Sequence, residues 1–264
     1  MSHGRHIRFF LDRKPAEASP DETIWEVAKR IGTHIPHLCH RPESGYRPDG
    51  NCRACMVEIE GERTLAAACV RKPTAGMKVQ TDTKRAGSAR RMVFEMLLAD
   101  QPDRGTAHDP DSAFWRWADR LELKNSRLPG RSETPPDDNS HPAMRVFLDA
   151  CIHCTLCVRA CREVQVNDVI GMAGRGKDSR IVFDQGDAMG ASTCVACGEC
   201  VQACPTGALM EAALVDQHGT GSSKPLEEID SVCPYCGVGC QITYRMADDR
   251  ILAVDGRDLS LIHI

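Results

Sequence analysis

The sequence CIHCTLCVRAC at residues 151–161 is matched by CVACGECVQACP at residues 194–205. Both stretches follow the pattern C-x2-C-x2-C-x3-C. Cysteines at every third position can hold three corners of a [4Fe–4S] cubane, and in tandem runs the fourth cysteine binds the other cluster. The spacing therefore predicts two [4Fe–4S] clusters. One would be held by Cys151, Cys154, Cys157 and Cys204, and its neighbour by Cys194, Cys197, Cys200 and Cys161.

Zinc is the alternative metal for closely spaced cysteines, because single C-x2-C pairs also occur in zinc ribbons. A tetrahedral zinc ion has no use for a third thiolate in the same run. Two complete runs therefore favour iron, and they resemble a bacterial two-cluster ferredoxin with an enlarged segment between the runs. The glycines of that segment match no phosphate-binding loop and predict turns.

Four earlier cysteines, Cys39, Cys52, Cys55 and Cys69, follow the spacing C-x12-C-x2-C-x13-C. An isolated cysteine, a close pair and a distant fourth cysteine suit a [2Fe–2S] cluster, since each iron takes two thiolates. Gly50 would let the backbone approach the cluster closely. A zinc site would need a second close pair, and a Rieske centre would need two histidines. His34, His37 and His40 are therefore expected to be ordinary loop residues.

The last three cysteines are Cys233, Cys236 and Cys240, in the sequence CPYCGVGC. The run resembles the start of the catalytic domain of molybdopterin oxidoreductases. In that family three such cysteines and a later fourth hold a [4Fe–4S] cluster beside the pterin. No cysteine follows Cys240, and the three sets account for all fifteen cysteines of the chain.

Composition limits the other possibilities. The net charge is −4 and no basic stripe accompanies the few aromatic residues, so nucleic acid is not expected as a partner. No apolar run approaches the ~18 residues of a membrane span, and the N-terminus lacks a signal peptide pattern. We therefore expect a cytoplasmic protein without membrane insertion, in which cysteines serve as metal ligands rather than in disulfides.

Hydrophobic periodicity predicts a compact α+β unit over residues 6–83. A helix should start at Thr23 and end at Gly32, with Ile24, Val27, Ala28 and Ile31 on one face. Strands are predicted at Ile7–Leu11, Met56–Ile59, Thr64–Ala68 and Met77–Thr81. Two further helices are predicted over residues 84–99 and about 112–123. Residues 129–142 and 217–225 are predicted linkers, and strands are expected at Gln241–Tyr244 and Ile251–Val254.

The order of these modules resembles the N-terminal part of the α subunit of cytoplasmic NAD-dependent molybdenum or tungsten formate dehydrogenases, which is related to the large iron–sulfur subunit of complex I. The resemblance implies a multi-domain α+β fold. Its parts would be a β-grasp [2Fe–2S] ferredoxin-like domain (1–83), a helical region and linker without cluster ligands (84–142), a two-[4Fe–4S] ferredoxin domain (143–213), a linker (214–230) and the start of a molybdopterin oxidoreductase domain (231–264).

The resemblance also implies a function. Electrons from formate oxidation at a molybdenum or tungsten bis(pterin guanine dinucleotide) centre would pass through the clusters to flavin- and NAD-binding partner subunits. The family's catalytic cysteine or selenocysteine is absent, so no residue here is given a catalytic role. The alternatives are an electron-input subunit of a complex I-like or hydrogenase assembly, and a stand-alone polyferredoxin-like carrier.

Two departures from the family are expected. Many relatives carry a further cluster held by one histidine and three cysteines, but no cysteine lies between Cys69 and Cys151. His108 is therefore predicted to be a surface histidine. The resemblance stops after Asp258, and Leu259–Ile264 is also one translation of a common transposase adapter used in sequencing libraries, so we expect these six residues to be non-native.

Overall fold

The computed structural model describes residues 6–41, 46–216, 219, 221 and 227–257. The segment Leu259–Ile264 and most of the predicted linker 217–225 lie outside these residues. Within the described ranges, no helix has both the length and the apolar composition needed to cross a bilayer.

The N-terminal unit is a five-stranded mixed sheet in the order β2-β1-β5-β3-β4. Its strands are β1 (Ile7–Leu11), β2 (Lys14–Ala18), β3 (Met56–Ile59), β4 (Ala66–Ala67) and β5 (Lys78–Gln80). β1 runs parallel to β5, and the other pairs are antiparallel. With one helix packed on the sheet, this is the ferredoxin-like domain that the sequence predicted.

That helix, α1 (Ile24–Arg30), begins at a capping box, in which Thr23 and Glu26 each hydrogen-bond the other's backbone N–H. The buried residues Ile24, Val27 and Ala28 pack against the sheet in a core that includes the Cys55 and Cys69 side chains. Gly32 follows the helix with a φ of +81°, a conformation that glycine adopts without strain. The helix therefore starts and stops where the sequence predicted.

Two helices form the next region: α2 (Lys84–Leu98), capped by Thr83, and α3 (Ala113–Arg120), capped by Ser112. They share an aromatic core in which the rings of Phe94 and Phe114 stack with centroids 5.9 Å apart. Both helices end slightly before the predicted residue. The Ala99 and Leu121 N–H groups still make helical hydrogen bonds to Glu95 and Trp117, and Glu122 then takes a φ of +54°, which ends α3.

The Pro- and Ser-rich segment 129–142 is more firmly held than a linker would be. Backbone N–H and C=O groups of Asp138 pair with those of Val146, and the Asp138 carboxylate accepts a hydrogen bond from the Met189 N–H at 2.6 Å. The Ser140 hydroxyl accepts another from the Gly190 N–H at 2.8 Å. These side-chain acceptors satisfy backbone donors of a distant turn, which is why the segment is fixed.

The two cysteine runs lie in a unit closed by β6 (Met144–Val146) and β9 (Leu209–Glu211), which pair antiparallel. The first run continues into α4 (Leu156–Arg159) and a π-helical turn (Ala160–Val164), and the second into α5 (Glu199–Ala203). The enlarged segment between them forms a hairpin of β7 (Ile170–Ala173) and β8 (Arg180–Phe183).

The C-terminal part is a three-stranded antiparallel sheet of β10 (Glu227–Val232), β11 (Gln241–Ala247) and β12 (Arg250–Gly256). The predicted hairpin corresponds to β11 and β12. The first strand begins at Glu227, inside the segment 214–230 expected to be a linker, because Glu227 pairs with Met246 of β11.

Candidate metal centres

The four cysteines Cys39, Cys52, Cys55 and Cys69 come together at one end of the N-terminal domain. Cys39 lies in the loop after α1, Cys52 and Cys55 precede β3, and Cys69 follows β4. The Cys39 Sγ accepts a hydrogen bond from the Cys52 N–H at 3.4 Å, and the Cys52 Sγ accepts one from the Ala54 N–H at 3.5 Å. We call this set the two-iron site.

Gly50 allows the loop of the two-iron site to close. Its φ is +67°, and a Cβ at this position would lie 2.9 Å from Cγ2 of Val70. A side chain would therefore be strained by the backbone conformation and would also push against the segment that carries Cys69.

The electrostatics of the two-iron site favour a thiolate at Cys39. Hydrogen bonds from the Cys52 and Cys69 thiols, helped by the Arg159 guanidinium, lower the pKa of Cys39 despite its burial. A thiol that donates its proton to a neighbouring sulfur has its own pKa raised. Cys69 is an example: its hydrogen bonds to Cys39 and Cys55, together with burial, raise its pKa. Four sulfurs sharing protons in this way suit a pair of cations that would replace those protons.

A first cavity is lined by the thiols of Cys151, Cys154, Cys157 and Cys204 together with apolar side chains such as Ile181 and Leu209. The Cys204 Sγ lies 3.6 Å from the hydroxyl oxygen of Thr206, a buried residue. Burial raises the pKa of Cys151 to about 11 and raises those of Cys154 and Cys157 as well. Thiolates would therefore need a positively charged centre in this cavity.

A second cavity is lined by Cys161, Cys194, Cys197 and Cys200. Backbone N–H groups of Val169 and Ala196 donate to the Sγ atoms of Cys161 at 3.3 Å and Cys194 at 3.4 Å. Burial raises the pKa of Cys200 to about 12. Hydrogen bonds to sulfur and a dry environment are among the features that set the potential of a bound cluster.

Each cavity takes three cysteines from one run and the fourth from the other, which is the grouping that the spacing predicts. The loops turn around the cavities through positive φ values at His153, Thr155, Ala196 and Gly198. Such values are uncommon for residues other than glycine and bring successive sulfurs to the same side of the loop. Iron–sulfur clusters bound at these sites would exchange single electrons.

The third set, Cys233, Cys236 and Cys240, lies in the loop that joins β10 to β11. The loop is closed by a 2.8 Å hydrogen bond from the Cys233 N–H to the Cys240 carbonyl oxygen, and Gly237 and Gly239 have positive φ values. Cys236 is exposed and the other two are half-buried. This set is thus far more open to solvent than the two cavities.

All fifteen cysteines are free thiols. In the part of the chain that the structure describes, no three His, Cys, Asp or Glu side chains converge in a way that would hold a single metal ion. The cysteine thiols stand instead around the cavities and the two-iron site.

The histidines differ in their outcomes. His37 precedes and His40 follows Cys39 in the loop after α1, and both pack edge-on against Trp25, with ring centroids 4.5 and 4.6 Å from the indole. His34 is exposed. The prediction that His108 is a surface histidine is wrong. It is only 8% exposed, stacks on Phe147 at 3.9 Å and contacts the Asp149 carboxylate through Nε2 at 2.9 Å.

One residue near the sites was missed by sequence reasoning. Arg159 lies inside the first run, between Cys157 and Cys161, and is 2% exposed. A charged residue among closely spaced cysteines is the only local signal, and it does not reveal that the guanidinium is buried between domains.

Comparison with known proteins agrees with this geometry. Three family models match the chain: a 2Fe-2S iron-sulfur cluster binding domain at residues 4–84, a 4Fe-4S dicluster domain at 150–208, and a molybdopterin oxidoreductase Fe4S4 domain at 226–261. Each match contains one of the constellations described above. The fold class predicted from the sequence is thereby confirmed.

Individual relatives show the same kinship. A subunit of an NADH-quinone oxidoreductase of Rhizobium meliloti is 32% identical over 246 residues, which are 90% of this chain and 27% of the relative. A protein of Staphylococcus haemolyticus assigned as a formate dehydrogenase is 25% identical over 287 residues, covering 94% of this chain and 29% of that protein. A crystal structure of an NAD+-reducing [NiFe]-hydrogenase matches with a TM-score of 0.73 and 29% identity, covering 83% of this chain and 90% of the hydrogenase chain.

The chain is similar to the iron–sulfur subunits of these NAD(P)-linked oxidoreductases. It spans less than a third of the length of these two sequence relatives. Along the chain the matched domains follow in the order 2Fe-2S domain, 4Fe-4S dicluster domain and molybdopterin oxidoreductase Fe4S4 domain.

Proposed function

We propose that this chain is the electron-conducting iron–sulfur part of a formate dehydrogenase α subunit. Electrons would pass from a molybdenum or tungsten pterin centre, which lies in the catalytic domain of such enzymes, towards a flavin-bearing subunit that reduces NAD. The proposal depends on one observation. Three thiol-lined sites, which are the two-iron site, the first cavity and the second cavity, pack against one another in a single core.

The side chains of this chain would do the positioning. The first cavity would hold a cubane through Cys151, Cys154, Cys157 and Cys204, and the second through Cys161, Cys194, Cys197 and Cys200. The two-iron site would hold a [2Fe–2S] cluster through Cys39, Cys52, Cys55 and Cys69. Apolar walls around the cavities would exclude water, and hydrogen bonds to sulfur would adjust the potentials.

The Cys233–Cys240 loop favours formate dehydrogenase among the members of the family. The loop falls within the match to the molybdopterin oxidoreductase Fe4S4 domain. Together with a fourth ligand outside this chain, it would hold a [4Fe–4S] cluster next to the pterin. The resemblance of this run to the pterin-domain cluster site is what argues for a formate dehydrogenase over an electron-input subunit.

A second candidate is an electron-input subunit of a complex I-like or hydrogenase assembly. It is favoured by the likeness to the NAD+-reducing hydrogenase structure and by the 32% identity to an NADH-quinone oxidoreductase subunit. In that case the chain would receive electrons from NADH or deliver them to NAD through its flavin-bearing partner, and formate would play no part.

The test begins with the 264-residue chain, reconstituted anaerobically. One [2Fe–2S] and two [4Fe–4S] clusters amount to about 10 irons per chain, with a matching amount of acid-labile sulfide. Electron paramagnetic resonance of the reduced protein should show three clusters. The Cys236→Ser variant is the matched control, because this exposed thiol belongs to the open third site and its loss should leave the count at about 10.

The choice between candidates needs the gene extended through the catalytic domain. Formate should reduce the clusters of the extended protein, and the 264-residue chain alone should show no formate oxidation. A chain filled with zinc and little iron would overturn the whole proposal. Reduction of the extended protein by NADH and its flavin partner, with no response to formate, would assign the chain to the second candidate.

A further inference from the structure

The buried guanidinium of Arg159 connects the two-iron site to the first cavity. Its Nη2 donates to the carbonyl oxygen of Cys39 at 2.7 Å and lies 3.4 Å from the carbonyl oxygen of Cys154. Nη1 donates to the carbonyl oxygen of Arg47. One side chain thus holds backbone atoms of a candidate ligand from each of two different clusters.

The charge of Arg159 is balanced by Asp49, a residue of the loop that carries Cys52. The Nε atom of Arg159 lies 3.2 Å from Oδ2 of Asp49, which also accepts a hydrogen bond from the Thr155 hydroxyl at 3.2 Å. Burying a guanidinium costs several kcal/mol unless it is paired and hydrogen-bonded. The ion pair with Asp49 offsets the charge, and the carbonyl oxygens accept hydrogen bonds from Nη1 and Nη2.

The surrounding contacts join residues 46–51 to both cysteine runs, through Thr155 of the first and Glu199 of the second. The Asn51 side-chain amide donates to the Thr155 hydroxyl at 2.8 Å, and the Tyr46 hydroxyl donates to the Glu199 carboxylate at 2.7 Å. Cys39 packs in the same core as Cys154 and Cys157. The two-iron site therefore lies against the first cavity, with Arg159 at the contact.

We propose that Arg159 is a positioning residue that fixes the distance between these two clusters and raises the reduction potentials of both. The proposal rests on the clusters assigned above. An electron that crosses this contact oxidises one site by one unit and reduces the other by one unit, with no bond formed or broken. A fixed positive charge beside both ligand sets stabilises the more negative, reduced state of each cluster.

Three variants test the charge. Arg159→Gln should lower the midpoint potentials of the [2Fe–2S] cluster and of the first-cavity cluster, measured by redox titration of the 264-residue chain followed by electron paramagnetic resonance. Asp49→Asn removes the balancing negative charge and should raise both potentials. Arg8→Gln is the matched control, because its side chain is 86% exposed on β1, pairs with Glu17 away from the cysteine loops, and has its charge screened by solvent.

A fourth variant separates charge from position. Arg159→Lys keeps the positive charge but loses the planar fork that reaches both carbonyls, so the potentials should stay near those of the wild type. The magnetic coupling between the two reduced clusters should weaken, or its splitting in the electron paramagnetic resonance spectrum should broaden, because the separation of the clusters is no longer fixed.

Iron content and midpoint potentials separate a failure of the proposed function from a failure of the inference about Arg159. If the wild-type chain binds little iron, the cluster assignment fails. If it holds the clusters and Arg159→Gln leaves both potentials unchanged, the inference fails. Shifts in the same direction for Arg159→Gln and Asp49→Asn would also overturn it, because simple disruption of the interface moves both variants alike whereas charge moves them oppositely.

Discussion

Cys204 illustrates the behaviour of single residues in this molecule. It belongs to the second run in sequence, yet its thiol lines the first cavity with Cys151, Cys154 and Cys157. Changing Cys204 to Ser should therefore remove or convert the cluster of the first cavity and leave that of the second. Iron content and the electron paramagnetic resonance signals of the two clusters would show which one is lost.

The reciprocal variant supplies the control. Cys161 is in the first run but lines the second cavity, so Cys161→Ser should damage the cluster bound by Cys194, Cys197 and Cys200. Both variants replace one cysteine sulfur with oxygen. Cys204→Ser should lose the signal of the first-cavity cluster, and Cys161→Ser that of the second-cavity cluster. Loss of the second-cavity cluster in Cys204→Ser would contradict the grouping.

Among the elements, α2 shows how the cluster-free helical region is stabilised. Phe94 is fully buried and Met96, two residues along the same helix, is 56% exposed. Replacing Phe94 with Ala should lower the free energy of unfolding of this region by about 3–5 kcal/mol, through lost burial and the cavity left behind. Met96→Ala should change it by less than about 0.5 kcal/mol.

The measurement for this pair is anaerobic denaturant unfolding followed by far-ultraviolet circular dichroism. Iron content should be equal in both variants before unfolding, because neither residue lines a cavity or the two-iron site. Similar destabilisation by Phe94→Ala and Met96→Ala would show that the aromatic core does not hold the region together.

At the scale of the whole molecule, His108 connects its own helical region to the segment before the first cysteine run and to the segment around Gly219. Its ring contacts Asp149 and stacks on Phe147 before the first run, and its Nδ1 lies 2.6 Å from the carbonyl oxygen of Gly219 in the segment leading to the C-terminal sheet. Burial opposes a positive charge on this ring, but the hydrogen bonds to Asp149 and Gly219 outweigh it and raise the pKa of His108 above 6.5. The pair therefore binds more tightly when His108 is protonated.

The pH dependence follows from that direction. The stabilisation from protonated His108 is complete below the unfolded-state pKa of 6.5 and is lost as the pH rises through the higher folded-state pKa. The wild type should lose thermal stability as the pH rises above 6.5 and through the raised pKa of His108, and His108→Gln should flatten this slope. His34→Gln, at an exposed position, should retain the wild-type slope, and an unchanged slope in His108→Gln would contradict the assignment.

Local sequence determined much of this protein. The capping box and Gly32 place α1 correctly, because caps depend on residues within a few positions of one another. The cysteine spacing predicted which thiols share each cavity, because the geometry of a cubane restricts spacing within a run. The thiols do come together in those sets, and that they bind iron stays a prediction.

Only the tertiary structure decided the rest. The burial of His108, the anchoring of Asp138 by the Met189 N–H and the placement of Arg159 between Cys39 and Cys154 all join residues that lie far apart in the chain. Composition marked 129–142 as a linker, and the lack of cysteines between Cys69 and Cys151 marked His108 as a surface residue. Their partners come from other domains, and a pattern within one segment carries no information about which distant donors and acceptors it will meet.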